Sequence, residues 1–379
     1  MLLEILHRAT GLYLFESRLF ATGLATIISY LVAMAAFPAY IAFLRKYGCS
    51  SELEASGAKS EPVMPGGILF LAVILLTGLI AVRLNSYVIS ALAIYAFFSV
   101  IGAVDDLAKV VNKRRVALGT LKKEDYQYKA DGISARLRLT LYLALPLVVA
   151  ILAYKYIPGI NGRITIPFVS TARAFPYLPF WLFIPLMALT IAVMANGVNF
   201  TDGFDTLATV PLITNLLFVG VVAYVSSNAS WSTYLLVPYI AGLEEMLPLI
   251  GAVIGTLLAF LWFNSPPATI IMGDSGAVGL GGLLGILFVF TKSVFYIPIV
   301  GFVFLLEFCS DLLQIGYFKA TRGKRILLMA PIHHHFHLKM KHKPYYREGF
   351  LAKSKIAWRM HIVSAILLVV GLVLFLKVR

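Results

Sequence analysis

Long apolar runs dominate the chain, each about as long as a helix needs to cross the hydrocarbon core of a bilayer. They fall at about 20–44, 66–82, 86–104, 139–158, 179–200, 207–227, 246–263, 276–291, 295–316 and 357–376, which predicts ten transmembrane helices. Only three residues join the 66–82 and 86–104 pair, and 230–245, with Glu244 beside Glu245, predicts a surface or partly inserted helix. Between 159 and 178, Gly159-Ile160-Asn161-Gly162-Arg163-Ile164 predicts a short external β-hairpin turning at Asn-Gly.

The polar segments carry the orientation. Of the 32 Lys and Arg, three lie in 45–65, nine in 105–138 and ten in 317–356, with Arg359 close behind. Cytoplasmic loops retain cations, so ten spans put these loops inside and both termini on the periplasmic or external side. Residues 1–379 then form a single integral membrane domain, all-α and polytopic, with inner loops at about 45–65, 105–138, 200–206, 264–275 and 317–356. Composition agrees: 60% of residues are hydrophobic and 13% charged, whereas soluble domains are roughly half apolar and a quarter charged. The net charge of +14 reflects the inner loops, and no basic patch interleaved with aromatics points to nucleic acid. Cys49 and Cys309 have neither metal-ligand spacing nor an evident pairing. With no small-residue cleavage site ahead of it, the first span is expected to be its own insertion signal.

That topology, drawn from cations alone, brings four polar motifs to the inner face. Asp105 and Asp106 end the third span; paired carboxylates there can bind a divalent cation or divide into a base and a charge neutraliser, unless they merely hydrate a helix end. Lys109 and Lys113 follow at i, i+4, on one helix face suited to phosphate. Asn196, Asn199, Asp202 and Asp205 recur every three residues through the end of the fifth span, and polar groups at membrane depth are usually functional. Gly203 among them lets backbone approach a ligand closely. Asn264 precedes a Pro-Pro turn, and Gly273-Asp274-Ser275-Gly276 opens the eighth span, where a helix N-terminus favours anions; Asp274 could equally be a simple cap. The glycines after it suit close helix packing. In the last inner loop stand His333, His334, His335 and His337. Adjacent side chains diverge, so at most two could share a zinc ion; contact with a diphosphate or sugar, with one His titrating near neutrality, fits better. Five carboxylates with Asn, Lys and His at one face suit Mg²⁺ and a phosphorylated ligand.

At these residues the sequence resembles the polyprenyl-phosphate sugar-1-phosphate transferases and, within them, the phospho-N-acetylmuramoyl-pentapeptide transferases. The resemblance runs through Gly102 to Asp106, Gly132-Ile133-Ser134, Asn196 to Asp205, Phe260 to Asn264, Met272-Gly273-Asp274, and Gly323 to Phe336 with its Met329-Ala330-Pro331 ahead of three His. It implies a Mg²⁺-dependent enzyme in the bacterial inner membrane that joins UDP-N-acetylmuramoyl-pentapeptide to undecaprenyl phosphate, giving lipid I and UMP; it also allows a homodimer. By the same resemblance Asp274 is the principal metal ligand with Asp202 beside it, and Asp105 and Asp106 flank the lipid phosphate, one or the other as base. Asn196, Asn199, Asn264, His333 and His335 are implied as substrate contacts with Lys59, Lys109 and Lys113, and His334 as the proton carrier. Gly203, Phe204, Asp205 and Ile271 would border the uridine. Four positions depart from the family pattern: Met64 replaces a hydroxyl, Ile271 an aromatic, Thr206 a glycine and Arg138 a lysine. A UDP-N-acetylglucosamine transferase of the same kind and a metal or proton transporter are the competing readings; a transporter needs ionisable residues near mid-bilayer, and only Glu307 and Asp311 answer to that.

Overall fold

The computed structural model describes residues 2–49, 62–117, 119, 135–157, 159–169, 176–341 and 349–376. In chain order its helices are α1 (Leu2–Thr10), α2 (Arg18–Lys46), α3 (Gly67–Ala81), α4 (Ser86–Ala117), α5 (Ala135–Tyr156), α6 (Phe180–Thr201) and α7 (Thr209–Ser227). There follow α8 (Ala229–Leu235), α9 (Met246–Asn264), α10 (Gly273–Phe290), α11 (Ile297–Val300), α12 (Phe302–Ala320), α13 (Ile332–Lys341) and α14 (Gly349–Leu376). All ten apolar runs are helical, and 230–245 contains most of the short α8, then irregular backbone and a 3-10 turn at Leu243–Glu245.

Among the described residues seven helices are long and apolar enough to cross a membrane, and an eighth span results if the stretch through α11 and α12, bent by 88°, is counted once. The apolar parts of α3 and α5, Gly67–Gly78 and Thr140–Tyr156, are shorter. Among the described residues ten helices of full spanning length are therefore not reached. α3 begins within a residue of its predicted start, directly after a strap in which Val63, Gly66 and Gly67 donate their N–H groups to the carbonyls of Thr269, Ile271 and Met272.

The turn expected at Asn161-Gly162 is corrected. Arg163 pairs with Tyr177 in an isolated antiparallel bridge, flanked by Ile164 N–H to Pro176 O at 3.0 Å and Leu178 N–H to Gly162 O at 2.9 Å. Asn-Gly therefore precedes the pairing, and the chain reverses farther on. Glycine is required at 162 for another reason: its φ is 75° and a Cβ there would strike Leu178 O.

α10 is the central post of the bundle. It packs against α3, α4, α6 and α7, and its apolar stretch is 94% buried, against 22% in the peripheral α14. Its glycines make that possible. A Cβ on Gly281 would lie 2.5 Å from Met194 O of α6, so the two backbones pack in direct contact, as small residues permit between membrane helices. The N-terminus of α10 thereby meets α4 and the C-terminal end of α6 at one end of the bundle, beside the loop that Asn264 at the end of α9 holds.

Candidate active site

The first turn of α10 has N–H groups that the helix itself cannot satisfy. Asp106, fully buried on α4, accepts two of them: Oδ1 from Asp274 N–H at 3.0 Å and Oδ2 from Ser275 N–H at 2.9 Å. A buried carboxylate is tolerable when both oxygens are paired and the positive end of a helix faces it. Gly273, at φ 74°, makes the tight entry, where a Cβ would lie 2.8 Å from Asp106 Oδ2. Asp274 is thus set at the mouth of the site, with Lys109 Nζ 2.6 Å from its Oδ2. Asp105, also buried, forms a 2.6 Å pair with Arg138 of α5. Lys113, half-buried, lies one turn beyond Lys109.

Asp202 ends α6 and faces the same place. Burial, and then the charges of Asp274 and Asp106, push its carboxyl well above the usual carboxylate range. Three carboxyl groups thus act on one another with Lys109 among them. Hard oxygen donors in this excess fit a divalent cation. Among the described residues no three acidic, histidine or cysteine groups close around one point. Asn199 is half-buried one turn before Asp202, whereas the Asn196 amide donates back to Ala192 O at 2.8 Å, within its own helix.

The turn after α6 is held by Asn264. Its Oδ1 accepts from Thr206 N–H at 2.8 Å and its Nδ2 donates to Ile270 O at 3.0 Å, both buried. The side chain expected to touch diphosphate here clamps backbone to backbone. Thr206 sits at φ 65°, a conformation unfavourable for a β-branched residue and open to glycine. Asp205 Oδ2 accepts from Ala268 N–H at 3.1 Å, and burial raises its carboxyl. Ile271 is half-buried with both backbone groups bonded to the 62–67 strap.

The histidines cover this turn. Phe204 is buried and meets the rings of His333, His334 and His337 edge-on, with centroids at 4.7, 5.4 and 5.6 Å, while Lys353 lies 5.6 Å over its face. Phe204 therefore supports the histidine helix rather than opening toward solvent. His333 Nδ1 is 2.9 Å from Glu307 Oε2, an almost fully buried pair, and its Nε2 lies over Gly203, where a Cβ would run into it. His334 is not poised near neutrality as expected: burial, with His333, His337 and Lys353 close by, lowers it to about 4, so its ring is neutral at pH 7. His335, lowered by burial and Lys339, accepts Leu328 N–H at 3.0 Å and so ties down its own loop. Lys59 lies outside the described residues.

Two partners were not expected as site residues. Arg138, notable only as a departure from lysine, is the counter-charge of Asp105. Glu307, a carboxylate inside an apolar run, is the partner of His333; its placement in that run was the signal.

Over residues 88–292 the chain matches the family described as Glycosyl transferase family 4. It is 34% identical over 350 residues to the phospho-N-acetylmuramoyl-pentapeptide-transferase of Desulfotalea psychrophila, covering 90% of this chain and 89% of that one. With the enzymes of the same name from Wolinella succinogenes and Bartonella quintana it shares 34% identity over 99% of both chains and 35% over 96% of this chain and 95% of the other.

Proposed function

This chain belongs to glycosyl transferase family 4 and, within it, to the phospho-N-acetylmuramoyl-pentapeptide transferases, which makes it a phospho-sugar transferase of the membrane, and from that premise we propose its substrates and chemistry. The donor is UDP-N-acetylmuramoyl-pentapeptide and the acceptor undecaprenyl phosphate; the products are lipid I and UMP, in the first membrane step of peptidoglycan synthesis. The site faces the cytoplasm from the bacterial inner membrane, where a water-borne nucleotide sugar and a headgroup-level lipid phosphate can meet. The carrying observation is the convergence of Asp202 and Asp274 with Lys109 on Asp274, beside the histidine-covered turn.

Phosphoryl transfer asks the protein mainly for positioning and charge neutralisation. Mg²⁺, held by Asp274 and Asp202, would supply Lewis-acid neutralisation of the diphosphate. Asp106 contributes by fixing the first turn of α10 and so the direction of Asp274. Asp105 is committed to Arg138 and Asp106 to two N–H groups, and neither is needed as a base, because a lipid phosphate is already ionised at neutral pH and attacks without one. Lys109 can turn its ammonium from Asp274 to a phosphate oxygen. His333, oriented by Glu307, presents Nε2 at Gly203, and neutral His334 offers a hydrogen bond instead of a charge. The experiment is donor competition with purified protein and undecaprenyl phosphate. UMP release should be Mg²⁺-dependent and selective for the muramoyl-pentapeptide donor; preference for UDP-N-acetylglucosamine would assign the competing transferase activity.

A further inference from the structure

We propose a second ligand site at the opposite end of the bundle, an anion site for a phosphate group, where Lys292, Arg163, Asn161 and the Tyr87 hydroxyl line a cavity of about 470 Å³.

α10 ends there in a two-bond cap: Lys292 N–H donates to Val289 O at 3.0 Å and Ser293 N–H to Phe288 O at 2.9 Å. The residue after such a cap is usually glycine, because it is left-handed. Here it is Lys292, at φ 58°. Its carbonyl accepts from Thr165 N–H at 2.9 Å and Oγ1 at 2.7 Å, so the backbone is locked and the side chain is aimed. The ammonium is buried, the residue being 5% exposed, and donates to Asn161 Oδ1 at 3.0 Å, which leaves the Asn161 amide nitrogen as a donor.

A buried ammonium ordinarily has a carboxylate beside it. Among the described residues neither Lys292 nor Arg163 has one within ion-pair distance. Glu245, at the same end, is taken by Arg18 at 3.0 Å, and the field of Glu244 falls on Tyr87 and Arg18. What faces Lys292 is a second cation: burial and Arg163 together bring the ammonium down to about 8. Tyr87 adds an unpartnered hydroxyl on a residue 5% exposed, set against Gly159, where a Cβ would collide with it. A helix C-terminus accounts for one cation through its dipole. It does not account for a second unpaired cation and an orphaned hydroxyl on the same cavity. Two cations and two neutral donors around one space match the several acceptor oxygens of a phosphate. That group can come from a phospholipid headgroup at the bilayer surface or from free phosphate.

The test uses the purified full chain, read by thermal unfolding in two arms. In detergent, inorganic phosphate is titrated against chloride at matched ionic strength; in nanodiscs, phosphatidylglycerol is exchanged for phosphatidylcholine. Stabilisation in the first arm identifies free phosphate, and stabilisation in the second alone identifies the headgroup. In either arm Arg163→Gln and Lys292→Met should each weaken the effect about tenfold in apparent affinity. Arg163 is on the exposed rim, so Arg163→Gln keeps the test valid if Lys292→Met fails to fold, and its UMP release should match the parent. Stabilisation in neither arm, or stabilisation equal in parent and Arg163→Gln, overturns the proposal.

Discussion

Replacing Asn264 with alanine separates two roles for this residue, a clamp on the backbone and a contact to substrate. The substitution removes the acceptor of Thr206 N–H and the donor to Ile270 O, both at buried positions. Each orphaned group costs about 1–3 kcal/mol, roughly 2–6 kcal/mol together, a large part of the ~5–15 kcal/mol that holds a typical domain folded. Thr206 at φ 65° gives its turn an intrinsic tendency to open once that bond is gone. Asp202, Phe204 and Asp205 belong to the same turn, so activity should fall along with stability. At about 2 °C per kcal/mol for a chain of this size, the midpoint of thermal unfolding should drop by roughly 4–12 °C. The assay is thermal unfolding of parent and Asn264→Ala in the same detergent, with UMP release measured below both transitions. A midpoint within 1–2 °C of the parent (about 1 kcal/mol or less) together with a severe loss of turnover would refute the clamp and make Asn264 a substrate contact.

Thr206→Gly should raise the unfolding midpoint, because it relieves a left-handed threonine by about 1–2 kcal/mol and gives up only a long 3.5 Å contact to His361; a lowered midpoint would mean that this hydroxyl contact outweighs the strain. Gly203→Ala drives a methyl into the buried His333 Nε2, overpacking that costs about 1–3 kcal/mol, and a displacement of about 1 Å in a site can cost on the order of 100-fold in rate; it should lower the unfolding midpoint by a few degrees and cut kcat measured below the transition, and parental kcat would remove His333 from the site. For His334 the sign follows from a folded value near 4 against 6.5 when unfolded: the unfolded chain binds the proton more readily, so this contribution is full above about 6.5 and is lost as pH falls toward 4. His334→Gln should therefore lose less thermal stability than the parent between pH 7 and pH 5, and identical pH profiles would count against the shift.

Period and hydropathy made the helices legible, because a membrane span declares itself by length and apolarity alone. The same signal located α3 to within a residue at each end but not the strap before it, held against 269–272, because pairing over about two hundred residues leaves no local trace. Asn161-Gly162 has turn chemistry, but tertiary approach of Leu178 is what demands glycine there. The polar motifs were legible as a group at one end of the bundle; the division of labour within them was not. Asp105 and Asp106 are neighbours with different partners, Arg138 and the α10 N-terminus, and only the fold says which. Thr206 could be seen as a departure from glycine, whereas its positive φ needed the backbone. Glu307 could be seen as an anomaly, whereas its partner His333 stands on a separate helix.

The most direct test is UMP release by Asp274→Ala in the presence of UDP-N-acetylmuramoyl-pentapeptide, undecaprenyl phosphate and saturating Mg²⁺, beside the parent. Asp274 is the carboxylate that Asp106 positions through the α10 backbone, that Lys109 pairs with and that Asp202 faces. The variant should fold, unfold within a few degrees of the parent and release no UMP above background. Near-parental turnover by a folded Asp274→Ala would contradict a site centred on this residue.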